Sequence, residues 1–174
     1  DALFHTEWAN YDGMLFVGRV LSSLLDTLLV YLVYRLAAGV FQRPRLGLAA
    51  AAFYALSFFP IQNSNFYIVD NLVNFFTTLL FMALLNYLQR ASAARAAVLG
   101  LISAALLATK ITPVIFLPVI LVLLAWQVSP TRWVFMKPVG RPLKYGLVFL
   151  LALVVGHAVL MPYAYVHFSR FLQD

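Results

Sequence analysis

Three runs of this chain, residues 14–34, 67–88 and 143–162, are each about as long as the ~20 residues a helix needs to cross ~30 Å of hydrocarbon, and they are almost free of charge. A stretch of that length and character folds stably only where its outside faces lipid, because a water-exposed surface would need a polar coat. The rest of the chain agrees: 64% of the 174 residues are hydrophobic and 10% charged, against roughly a quarter charged in ordinary globular proteins. The expected fold is therefore all-α, a polytopic transmembrane bundle occupying residues 1–174 as one membrane domain. Shorter apolar stretches at 46–61, 96–108 and 111–127 raise the expected number of spans to about six.

The division after residue 95 rests on charge. A single crossing between residues 96 and 127 would put Arg132, Lys137, Arg141 and Lys144 opposite the other basic loops, against the positive-inside bias. Two short helices keep them on one side, and the break falls at Thr109-Lys110-Ile111-Thr112-Pro113, where a charge, two β-branched residues and a Pro supply a stop and a start. With six spans and both termini non-cytoplasmic, Arg35, Arg43, Arg45, Arg90, Arg95 and the four cations just named lie in cytoplasmic loops. Asp1, Glu7, Asp12, Asp70 and Asp174 lie on or beside the outer face. Only Asp26 stays within a span among the acids, while Arg19, Lys110 and Arg170 depart from the basic rule. The formal charge of +6 is thus spent on membrane orientation, and no nucleic-acid partner is expected. Cysteine is absent, which removes disulfides and thiolate chemistry. The chain opens on a polar segment, residues 1–13, instead of a signal sequence, so it is expected to start inside a longer protein.

The second span is Ala-rich at Ala49–Ala52 and the fourth carries Gly100, Ser103, Ala104 and Ala105, a composition for close packing inside a bundle. Tyr54, Tyr67, Trp126, Trp133, Tyr163 and Tyr165 fall where aromatic rings anchor at the interface.

Ionisable groups at membrane depth are functional candidates, since an unpaired charge there costs several kcal/mol. Asp70 follows the outer turn Pro60-Ile61-Gln62-Asn63-Ser64-Asn65, and Lys110 sits at the outer break, so topology assigns a carboxylate and an ammonium to one aqueous face. Two uses are open: an anion-binding site, with Lys110 attracting a phosphate and Asp70 accepting a hydrogen bond or holding a partner base or metal, or a structural role as an ion pair or as two unrelated interfacial charges. Arg19 lies near the outer end of the first span. Asp26 is two turns deeper and too far away to contact it; a Ser, Thr or Asn of a neighbouring helix is its expected partner. His157 is expected to be a hydrogen-bonded packing residue, and no His/Asp/Glu cluster has metal-ligand spacing. No cofactor is expected.

The strings Val17-Gly18-Arg19-Val20-Leu21-Ser22-Ser23-Leu24-Leu25-Asp26-Thr27, Leu32-Val33-Tyr34-Arg35-Leu36, Pro60 to Asp70, Gly100-Leu101 and Ala108-Thr109-Lys110-Ile111-Thr112, in that order, resemble the polyprenyl-phosphate-dependent glycosyltransferases of the protein mannosyltransferase and aminoarabinose transferase superfamily, which have the GT-C fold. The resemblance implies a membrane enzyme, in the bacterial inner membrane, that moves a sugar from a polyprenyl-phosphate lipid to an acceptor on the non-cytoplasmic face. It implies that Asp70 is the catalytic acidic residue at the entrance of a core helix, that Lys110 is the T-K lysine near the carrier phosphate, and that Arg19 is the substrate-side arginine of the second family helix. The family's principal carboxylate, in an outer loop after a first helix, has no counterpart here: Glu7 and Asp12 stand too close to the next span. Asn65 occupies a position where many relatives have His. The match covers the front half of such an enzyme, inactive by itself. The alternative is a catalytically inactive, transferase-like subunit of a larger membrane complex.

Because the chain is cysteine-free, sidedness is directly testable. Single Ser92→Cys and Ser129→Cys variants are expected to resist an impermeant maleimide added from outside, and Asn63→Cys to react with it. Labelling of Ser129→Cys from outside would eliminate the two-helix division after residue 95.

Overall fold

The structure, a computed structural model, describes residues 11–57, 69–128 and 140–166. Every regular element among them is helical: α1 (Tyr11–Phe41), α2 (Pro44–Leu56), α3 (Val69–Gln89), α4 (Ala93–Thr109), a 3-10 turn (Thr112–Ile115), α5 (Phe116–Val128), α6 (Gly140–Leu160) and the short α7 (Tyr163–Val166). Three helical segments, Phe16–Phe41, Asp70–Gln89 and Leu143–Leu160, are long and apolar enough to cross a bilayer; they match the three long runs read from the sequence. The chain is an integral membrane protein. The helix over Ala93–Thr109 and the apolar helical segment Thr112–Ala125 are shorter. With 13 residues, α2 rises only about 20 Å.

The chain divides into two compact units, residues 1–78 and 79–174. In the first, α1 is longer than the expected span, continuing past Arg35 to Phe41. A cation marks a membrane boundary and need not end a helix: Arg35 donates from Nη1 to the Tyr31 hydroxyl at 2.9 Å and lies over the Tyr31 ring, bringing its charge back along the helix surface. The helix stops where backbone chemistry requires it. Gln42 takes a left-handed φ of 53°, its amide donates to the Gly39 carbonyl, and Arg43 is extended before Pro44, as the pyrrolidine ring demands of its predecessor. Pro44 then opens α2, where a missing N–H costs nothing.

The two helices form an antiparallel hairpin. Gly47 is the point of closest approach, since a Cβ there would lie 2.8 Å from both the Ala38 Cβ and the Tyr34 carbonyl oxygen. Of the alanines expected to pack, only Ala51 is buried. Leu48, Phe53 and Leu56 are exposed, so α2 presents an apolar face outward.

In the second unit the close contact is between α4 and α6. A Cβ on Gly100 would overlap the Phe149 carbonyl oxygen and lie 2.8 Å from the Ala152 Cβ, and one on Gly156 would lie 2.9 Å from the Ala104 Cβ. Gly100, Ser103 and Ala104 are buried along this seam, as the small-residue pattern of the fourth span requires. The order of these contacts shows that α4 and α6 run in the same direction. Likewise Phe81 stacks edge-to-face on Phe116, and the Tyr87 hydroxyl points to the Leu124 carbonyl at 3.4 Å, so the end of α3 runs parallel to α5. Tyr87 is fully buried and meets Tyr145 of α6 edge-on.

The seam predicts opposite outcomes for two glycines of one packed pair. Gly100→Ala is expected to cost about 1–3 kcal/mol through overpacking against α6, whereas Gly146→Ala, with nothing within 4 Å of its Cβ, is expected to leave stability unchanged or slightly raised. Ser103 Oγ, buried without a hydrogen bond among the described residues, is there for its size, so Ser103→Ala is also expected to be silent. Thermal unfolding of the purified protein in detergent measures all three.

Candidate functional site: a polar seam on two membrane helices

In the first unit the polar residues of α1 and α3 fall on one face of each helix. On α1 these are Arg19, Ser22, Ser23 and Asp26, spaced i, i+3, i+4, i+7. On α3 they are Asp70, Asn71, Asn74, Thr77 and Thr78, covering about a third of the helix circumference at 3.6 residues per turn. A face of this kind on a lipid-crossing helix is expensive unless it meets another like it. Here the two are joined by a cross-helix hydrogen bond: Asn71 Nδ2 donates to Ser22 Oγ at 3.1 Å, with Ser22 and Asn71 only 3% and 4% exposed.

That hydrogen bond sets the neighbourhood of two predicted site residues. Asp70 is adjacent to Asn71 in the first turn of α3 and is half-buried. The partial positive charge of a helix start favours a carboxylate there. Arg19 is one turn before Ser22 on α1 and is exposed. The Ser22–Asn71 bond therefore docks the α3 turn that carries the carboxylate onto α1 within one turn of the guanidinium. The hydroxyls of Ser23, Thr27 and Thr78 are engaged locally, donating to the carbonyls of Arg19, Ser23 and Asn74 at 2.9, 2.8 and 2.9 Å. Each of these bonds lies within its own helix.

Asp26 has a cross-helix partner of a different kind from the one expected. The Tyr54 hydroxyl of α2 donates to Asp26 Oδ1 at 2.8 Å, so the acceptor is held by a tyrosine, not by Ser, Thr or Asn. Tyr54 thereby serves in the hairpin interface and not as a surface anchor.

Lys110 belongs to the second unit, so the three sequence-assigned residues do not share one: Arg19 and Asp70 lie in residues 1–78, Lys110 in 79–174. The expected break is where the sequence placed it. Lys110 caps α4 with an extended backbone, its N–H reaching the Leu106 carbonyl, and Thr109 Oγ1 donates to the same carbonyl at 2.6 Å. Pro113, buried, starts the 3-10 turn. The Lys110 side chain is exposed at a helix C-terminus, where a cation is electrostatically favoured.

No family model, curated protein or solved structure matches this chain.

His157 behaves as a packing histidine: its Nδ1 lies 3.1 Å from the Tyr165 hydroxyl and its ring meets the tyrosine ring edge-on. His5, Glu7, Tyr67, Trp133 and His167 lie outside the described residues. Among the described residues no group of three His, Asp or Glu side chains is placed to hold a metal.

Sequence reasoning by single charges missed Ser22, Asn71 and Asn74. Their signal was present as helical spacing: the polar positions of α3 repeat at i, i+1, i+4, i+7, i+8, and a search for polar as well as apolar periodicity finds them. The Asn74 amide has no hydrogen-bond partner among the described residues, and it lies one turn beyond Asp70 on the same face.

If Ser22 and Asn71 hold the two helices together, a double-mutant cycle of Ser22→Ala and Asn71→Ala is expected to show a coupling of about 0.5–2 kcal/mol. Additive effects would mean that the bond does not position the α3 turn.

Proposed function

We propose that this chain is part of a membrane glycosyltransferase that transfers a sugar from a polyprenyl-phosphate carrier to an acceptor on the non-cytoplasmic face of a bacterial inner membrane. The observation that carries this is the polar seam: an arginine and a carboxylate flank a buried hydrogen bond between two lipid-crossing helices, one of them entered at the carboxylate. A lipid-linked sugar needs such a place, apolar for the carrier and polar for the headgroup.

In this reading the acceptor O–H or N–H attacks the anomeric carbon, the bond from that carbon to the phosphate oxygen breaks, and polyprenyl phosphate leaves with the bonding electrons. Asp70 takes the acceptor proton as general base. Lys110 and Arg19 stabilise the phosphate as its charge grows. Lys110 joins Asp70 on the outer aqueous side through the charge topology of the sequence, in which α4 returns to the face from which α3 sets out. About six crossings, in a GT-C-like membrane domain, follow if the shorter apolar helices also traverse the bilayer. The parallel courses of α3 with α5 and of α4 with α6 support that alternation.

A second reading has its own observation. Ser22 with Asn71 and Asp26 with Tyr54 are polar residues that engage each other across helices, as in a bundle whose polar groups serve assembly. On this reading the chain is an inactive, transferase-like subunit of a larger complex.

Transfer from a radiolabelled polyprenyl-phosphate sugar, measured in membranes containing the full-length protein, separates the two. Asp70→Asn and Lys110→Ala are each expected to lower transfer by about 100-fold or more with membrane insertion intact. Wild-type levels in both variants would retire the site, and a wild-type protein without transfer would favour the structural subunit.

A further inference from the structure

A second feature, independent of the transferase reading, lies in the second unit where α3 turns back into α4. One face of the end of α3, Leu79, Met82, Ala83 and Asn86, and one face of the start of α4, Arg95, Val98 and Ile102, line an open groove of about 450 Å³. Apart from Asn86 and Arg95 its walls are apolar. Its only charge is the Arg95 guanidinium, at the end where α3 leaves the membrane and residues 90–92 make the turn.

Arg95 is built into this position. Its Nη1 donates to the carbonyls of Asn86 and Arg90 at 2.6 and 2.9 Å, the first of which the Arg90 N–H also reaches, so the guanidinium is tied to the turn that follows α3. Its own backbone N–H is held by the Ser92 hydroxyl, the N-cap of α4. The planar fork is thus fixed in orientation at both ends of its side chain, and its Nε and Nη2 donors have no partner among the described residues. A fixed guanidinium with a free donor edge is suited to phosphate. No acid lies near it in the sequence: between Asp70 and Asp174 the chain has neither Asp nor Glu. Arg90, exposed beside the groove mouth, adds to the positive field.

We propose that this groove is a binding site for an anionic glycerophospholipid of the surrounding membrane, its phosphate on Arg95 and one acyl chain along Met82, Ala83, Val98 and Ile102. Lipid is the occupant that the location selects, because the cation sits at the membrane boundary and the apolar walls run from it toward the bilayer interior. The sequence topology places this end on the cytoplasmic side, where anionic lipid headgroups meet basic loops.

The test uses the whole chain purified in a zwitterionic detergent and native mass spectrometry with phosphatidylglycerol or phosphatidylcholine of identical acyl chains. The wild type is expected to retain one phosphatidylglycerol in preference to phosphatidylcholine. Arg95→Gln, which keeps an amide donor for the α3 carbonyls, and Ala83→Trp, which fills the groove and leaves Arg95 intact, are each expected to weaken that retention about tenfold or more. Arg95→Lys is expected to restore part of it. Helix content by circular dichroism reports folding, and if Arg95→Gln misfolds, Ala83→Trp decides alone. Equal retention of the two lipids, undiminished phosphatidylglycerol in Ala83→Trp, displacement by glycerol 3-phosphate as effectively as by the lipid, or a protein segment cross-linked into the groove would overturn the proposal.

Discussion

In lipid, no water is available to complete an unmade hydrogen bond, so every backbone N–H and C=O must be satisfied within the protein. Most of what this chain does locally follows from that constraint. Its described residues are helical because a helix closes its own ladder, and the places where helices end are the places where extra donors or acceptors are recruited. Gln42 covers the Gly39 carbonyl, Thr109 adds a donor at the Leu106 carbonyl, Ser92 holds the start of α4, and Arg95 donates to the Asn86 and Arg90 carbonyls around the end of α3. Side chains that in a soluble protein would be left to water are enlisted here as caps.

The same constraint sorts the side chains. With no hydrophobic drive between helices already in lipid, association depends on close contact and on polar pairs. The α4–α6 interface uses the first means, through Gly100, Ala104 and Gly156. The first unit uses both, Gly47 against Ala38 and then Tyr54 to Asp26 and Asn71 to Ser22. Polar residues placed by assembly are also the ones a ligand can use, so in the proposed transferase the α1–α3 residues that hold the helices together would also line the headgroup site.

Much of this is legible in the sequence, and the exceptions have physical causes. The three long helices announce themselves by length and apolarity, and the Lys110–Pro113 break by its residue types. The end of α1 lies beyond the position that Arg35 suggests, because a charged residue on a membrane helix only needs its head near the interface. The second helix closes at Leu56, inside the apolar run of residues 46–61, where the Ser57 N–H turns back to the Tyr54 carbonyl. Asp26 pairs with a residue type other than those expected of it, since partner identity depends on helix register, which composition does not encode. The small-residue seam of α4 is legible because Gly and Ala gain little from lipid, and in an apolar helix their advantage lies in letting a second backbone come close.

Charge is where the two units differ most. The first holds the membrane-depth acids Asp26 and Asp70 and can answer a cation internally. In the second, from residue 79 on, the sequence supplies cations and a single acid at its last position, Asp174. A segment of this composition draws on its surroundings for neutrality, and where α3 turns back into α4 the lipid phosphates proposed above would supply it. The charge asymmetry that orients helices in a bilayer therefore also leaves fixed cations at the membrane boundary, and a cation fixed by helix capping, as Arg95 is, has already lost the side-chain freedom that a loose surface arginine must lose on binding phosphate.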